Sequence, residues 1–182
     1  VDVRVDVFDR WRDFSVRTVG FTGFGALGAA FDDYLTLLSP GAEPFAGQFN
    51  WRSTVLHEYA HILALELSRG RVPRWFTEGL SSYEEKHANP AWERGEDRTL
   101  VDALANDSLP SVPQLAGLFG GPDIAFGYYL SGLLVEALIG SHGEKSVVQA
   151  LEMWGDGASD AMVLRTAFPG RGDSGLDAVF RR

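Results

Sequence analysis

A chain of 182 residues with 45 % hydrophobic content can bury a substantial core and is expected to form one domain. Its net charge of −9, with no basic stripe, argues against nucleic acid and anionic membrane surfaces as partners; it mildly favours cationic substrates, although an acidic balance more often serves solubility. The absence of cysteine removes disulfides and thiolate metal sites. No apolar run approaches the roughly 18 residues of a membrane span, and none reads as a signal peptide.

In chain order, Val1-Asp2-Val3-Arg4-Val5-Asp6-Val7-Phe8 alternates valine with charge, the pattern of a half-buried strand with its valines inward. This abrupt start without an initiator methionine is expected of a fragment of a longer protein with additional domains. A second strand is expected within Trp11 to Val19, where Phe14, Val16 and Thr18 alternate with polar neighbours. Gly23-Phe24-Gly25-Ala26-Leu27-Gly28 spells G-x-G-x-x-G, but no βαβ pattern follows, so a loop is the expected use. Tyr34 to Ser39 reads as a strand stopped by Pro40-Gly41. After a loop to Phe49, Asn50 or Ser53 offers an N-cap for a helix.

That helix carries His57-Glu58-Tyr59-Ala60-His61, an H-E-x-x-H pattern within a run of helical apolar spacing. Residues four apart share one helix face, so both imidazoles can grip one ion, while Glu58 sits one step round, beside a bound water. Ser68-Arg69-Gly70-Arg71 ends the helix and Pro73 suits the first turn of a second. A catalytic zinc needs three protein ligands and one open position. Glu78, on the second helix, is the candidate third ligand; the competing reading is a solvated glutamate. Glu85, seven residues on and on nearly the same face, or its rival Glu84, could orient a ligand histidine.

Here the residues resemble a known family. His57-Glu58-Tyr59-Ala60-His61 followed by Pro73-Arg74-Trp75-Phe76-Thr77-Glu78-Gly79-Leu80-Ser81-Ser82-Tyr83-Glu84-Glu85 is similar to the gluzincin zinc metallopeptidases. The resemblance is to peptidase MA-like domains related to the M1 aminopeptidase catalytic domain, and it is specific over about residues 50–86. It implies an α+β, zincin-like (thermolysin-type) fold, with a small mixed sheet and two motif helices over 1–88 and a helical lobe over 89–182. It implies Zn²⁺ held by His57, His61 and Glu78, with Glu58 as general base, hydrolysing peptide or protein substrates. It also implies an extended substrate paired to the strand before the active-site helix, here around Leu37 and Leu38. An oxyanion donor from the helical lobe is implied at Tyr128, with Tyr129 as the alternative. The sequence leaves the compartment unknown, and the resemblance alone slightly favours an extracytoplasmic or secreted bacterial setting.

No G-x-M-E-N segment is present, and Gly25-Ala26-Leu27-Gly28-Ala29-Ala30 does not replace it, so endopeptidase action is expected over aminopeptidase action. Two alternatives remain at this level: a non-catalytic or latent binding module of a larger assembly, and a metal-dependent hydrolase of a non-peptide substrate.

Beyond Glu85, His87-Ala88-Asn89-Pro90 reads as a break. Helices are expected within Thr99 to Asn106, Phe126 to Ile139, Glu144 to Trp154 and Ala158 to Phe168, with an irregular stretch from Ser108 to Pro113. His87 and His142 read as surface residues outside any metal site. Arg171-Gly172-Asp173 reads as a glycine turn.

Overall fold

The computed structural model describes residues 2–93 and 95–170. They form a mixed α+β protein, and contacts divide it into two compact units between Leu63 and Ala64, inside a single helix. Arg171-Gly172-Asp173 lies outside the described residues.

The first unit contains β1 (Arg4–Arg10), α1 (Trp11–Val19), β2 (Gly28–Phe31), β3 (Tyr34–Glu43) and the start of α2 (Trp51–Ser68). The sheet order is β1-β3-β2, with β1 parallel and β2 antiparallel to β3. Phe8, Trp11 and Phe14 gather with Leu38 and Ala42 in a small core.

Three expectations change here. Trp11–Val19 is a helix, because Trp11, Phe14, Ser15 and Thr18 are its covered positions while Val16 is exposed. That is an i, i+3, i+4, i+7 face, which the alternating reading of Phe14, Val16 and Thr18 obscured. Gly20, with φ of 82°, ends it in the left-handed conformation. Pro40-Gly41 does not stop β3, which continues to Glu43; the pair falls where the register with β1 shifts between Phe8 and Arg10. Val5 and Val7 are not inward: they are 50 % and 57 % exposed on a strand that lies at the sheet edge.

The fourth correction bears on substrate. Leu37 and Leu38 cannot receive a peptide strand, because β3 is the central strand and both its sides are paired. Among the described residues both outer strands, β1 and β2, have an unpaired side, and β2 is the one beside Glu58. Leu38 N–H donates to Leu27 C=O, so Ala29 and Thr36 form the next hydrogen-bonded pair of the ladder. The intervening Gly28 and Ala30 therefore turn their N–H and C=O groups away from β3.

The second unit holds the end of α2, α3 (Arg74–Ala88), a 3-10 turn (Pro90–Trp92), α4 (Asp97–Ala105), α5 (Val112–Leu118), α6 (Ile124–His142), α7 (Glu144–Gly155) and α8 (Asp160–Ala167). The expected helices are present with shifted ends. Val112–Leu118 adds one that two prolines concealed: Pro113 sits in the first turn, where a missing N–H costs nothing, and Ser111 and Gln114 form a capping box. The core gathers Phe76, Leu130, Leu134, Leu138, Trp154 and Phe168, with the Phe76 and Trp154 rings 4.8 Å apart.

By length and composition alone, α6 is apolar enough to cross a bilayer, which the run-length criterion missed. Seven of its residues, Leu130, Leu134 and Leu138 among them, are buried in this unit's core. Small residues set its closeness to α3. A Cβ on Gly79 would overlap the Ser131 carbonyl group and come within 2.9 Å of Val135 Cγ2.

Candidate metal centre

Helix α2 starts on Asn50, whose Oδ1 accepts from the Arg52 and Ser53 N–H groups at 3.2 and 3.4 Å; of the two candidate caps, Asn50 is used. It ends at Arg69 and Gly70, both with positive φ, with Gly70 N–H returning to Leu65 C=O. Between these limits the backbone puts His57 and His61 on one face. Their Nε2 atoms are 3.1 Å apart, with ring planes at 80°. Two nitrogens on one tetrahedral zinc would stand about 3.3 Å apart, so the pair is already at ligand spacing.

Helix α3 starts directly after Pro73, whose carbonyl accepts from Phe76 and Thr77. Glu78 lies one turn in and is 7 % exposed. One donor atom each from His57, His61 and Glu78 lies within 4.8 Å of the others. Two imidazoles and a carboxylate are the donor types a catalytic zinc takes, so the residues fit the ion.

Arg74 was not anticipated at this site. Its Nε donates to Glu78 Oε1 at 3.2 Å, and its guanidinium lies over the Phe119 ring at 5.1 Å. The i, i+4 spacing on α3 was a legible signal for that pair. A carboxylate has two oxygens, so Arg74 on one is compatible with a cation on the group.

Glu58 is partly buried beside the start of β2. A Cβ on Gly28 would come 2.8 Å from Glu58 Cγ and 3.0 Å from Thr54 Cγ2, so glycine leaves the space this side chain occupies. That explains one glycine of the G-x-G-x-x-G run; it opens a strand, with no helix behind it.

A family model described as Peptidase MA superfamily matches residues 17–182. The chain belongs to the Peptidase MA superfamily. No curated protein and no solved structure gives a significant match.

In this Peptidase MA domain the two candidate tyrosines differ sharply. Tyr129 is 8 % exposed and its hydroxyl donates to the Asp97 carboxylate, a partner on α4 that no local pattern indicated. Burial first, then that hydrogen bond, push its phenol up to about 12. Tyr128 is half-buried and sits edge-on to Phe119, with ring centroids 5.5 Å apart. The two candidate positioning glutamates also differ. Glu85 is 3 % exposed, whereas Glu84 is partly open, its carboxyl raised mainly by burial and lowered by His87. His87 stacks on Tyr83, and His142 spans the Leu138 and Pro169 carbonyls, so neither joins the histidine pair.

Proposed function

We propose that this Peptidase MA domain is a zinc-dependent peptidase, acting as an endopeptidase. The observation that carries the reading is the convergence of His57, His61 and Glu78 donors. A cation bound there would acidify a water and polarise the substrate carbonyl. Glu58 then takes the water's proton and returns it to the leaving amine. Tyr128 donates to the oxygen on which negative charge develops, the role that the family resemblance implies for it. Glu85 serves as positioning carboxylate for the centre, supported by its burial and its α3 face shared with Glu78.

The open side of β2 supports a peptide substrate over a compact non-peptide one: Gly28 and Ala30 offer outward backbone groups beside Glu58. An intact base in the H-E-x-x-H pattern favours an enzyme over a binding module, since a structural zinc site would be closed by a fourth protein ligand.

Elemental analysis tests the proposal. Wild type is expected to hold about one zinc per chain and to cleave casein until a chelator is added; Glu78→Ala should lose most of the metal. A protein that binds no zinc refutes the reading, and one that binds zinc but cleaves nothing is a binding module.

Two substitutions probe the parts. Ala30→Pro deletes an N–H that faces away from β3, so the sheet keeps its ladder. It is expected to lower kcat/KM on extended peptides about tenfold, as the loss of one backbone hydrogen bond in recognition implies; an unchanged value removes β2 from substrate binding. Tyr128→Phe is expected to lower kcat by about 10²-fold with metal retained. Undiminished turnover would exclude Tyr128 as the donor.

A further inference from the structure

The second unit contains a pocket open to solvent, most of whose lining the proposed chemistry does not use. Its walls come from α3, the turn after it, and α6. They combine aromatic rings, Trp92 and Tyr83 among them, with the carboxylates of Glu85, Glu93 and Glu136. Among the described residues the lining holds a single cation, Lys86. Its ammonium contacts Glu93 Oε1 at 2.9 Å and Glu136 Oε2 at 2.8 Å. One ammonium between two carboxylates leaves a negative charge in their neighbourhood, and buried Glu85 lies on the same wall.

Position ties the pocket to the proposed site. Glu85 follows Glu78 by two turns of α3, about 10 Å along the axis. Tyr128, the proposed oxyanion donor, is itself part of the wall. Aromatic faces attract a cation through their quadrupole, and Glu93 and Glu136 would share it with Lys86. The turn's Trp92 and Glu93 are held near α3 by the Lys86–Glu93 pair, so Lys86 braces the wall.

We propose that this pocket is the specificity pocket of the peptidase and takes a basic side chain of the substrate, arginine or lysine. The inference rests on the reading of the chain as a peptidase, and the experiment separates the two.

Calorimetric titration of the protein without added metal compares butylguanidine, arginine amide and norleucine amide. Butylguanidine carries the side-chain cation without an α-amine; norleucine amide carries the α-amine without the cation. Butylguanidine and arginine amide are expected to bind at least tenfold tighter than norleucine amide. Glu93→Gln and Glu136→Gln, each on a partly exposed side chain, should each weaken both cationic ligands severalfold. Equal affinity for all three ligands, or cationic binding untouched by both variants, overturns the proposal. A second arm compares cleavage of zinc-loaded protein on a peptide set varied at one position between arginine, leucine and glutamate. Cleavage with no preference for arginine at any position overturns the pocket's role and leaves the peptidase standing. Cationic binding without cleavage of any peptide keeps the pocket as a cation site and removes both the peptidase reading and the substrate assignment.

Discussion

Glu58→Gln is expected to lower kcat about 10²- to 10⁴-fold while zinc content stays that of the wild type. The substitution keeps the shape of the side chain, so the space beside Gly28 stays filled and α2 is undisturbed. It removes only the capacity to accept a proton. The H-E-x-x-H spacing puts Glu58 one step round the helix from His57, so the group is near a cation held by His57 and His61 without being needed to hold it. Metal analysis and kinetics on the same preparation check the outcome. Loss of zinc along with activity would make Glu58 a ligand or a structural group; full activity would remove it from the chemistry.

Gly79→Ala is expected to destabilise the protein by about 3 kcal/mol, the upper end of overpacking costs, because the obstacle is backbone. The added methyl meets the Ser131 carbonyl group on α6, and neither helix can yield by changing a rotamer. The seam is tight along its length: a Cβ on Gly132 would come 3.2 Å from Ser82 Cβ. Thermal melting of the variant against wild type should show a fall on the order of 10 °C. Since Gly79 follows Glu78 directly, a shift of α3 also displaces the proposed ligand, so zinc affinity should fall with stability. An unchanged melting temperature would mean that α3 and α6 can separate freely, contrary to the packing described.

The part of the centre that was legible in the sequence is the part that local geometry sets. Two histidines four residues apart on a helix must share a face, whatever packs around them, and their nitrogens lie 3.1 Å apart as that spacing implies. The ends of α2 were equally local: a left-handed turn at Arg69-Gly70 and an asparagine cap need only neighbouring residues. The third donor, Glu78, was legible as a residue, because the Glu-Gly pair stands in a family pattern. The meeting of its carboxylate with the imidazoles is a property of the folded chain.

Tertiary structure alone decided the rest. Strand order is set by contacts between residues far apart in sequence, and a run such as Tyr34–Ser39 looks the same at the centre of a sheet as at its edge. The central place of β3 moved the open backbone from Leu37 and Leu38 to Gly28 and Ala30. Trp11–Val19 shows the same limit for element type: nine residues fit a period of two or of 3.6 until a core selects one. The hydrogen bond from the Tyr129 hydroxyl goes to Asp97, thirty-two residues earlier and on another helix. Sequence determined which imidazoles and carboxylates could share a helix face, because side-chain type and helical spacing are local. Only the fold determined which backbone is open and that the Tyr129 hydroxyl meets Asp97, because both depend on distant partners.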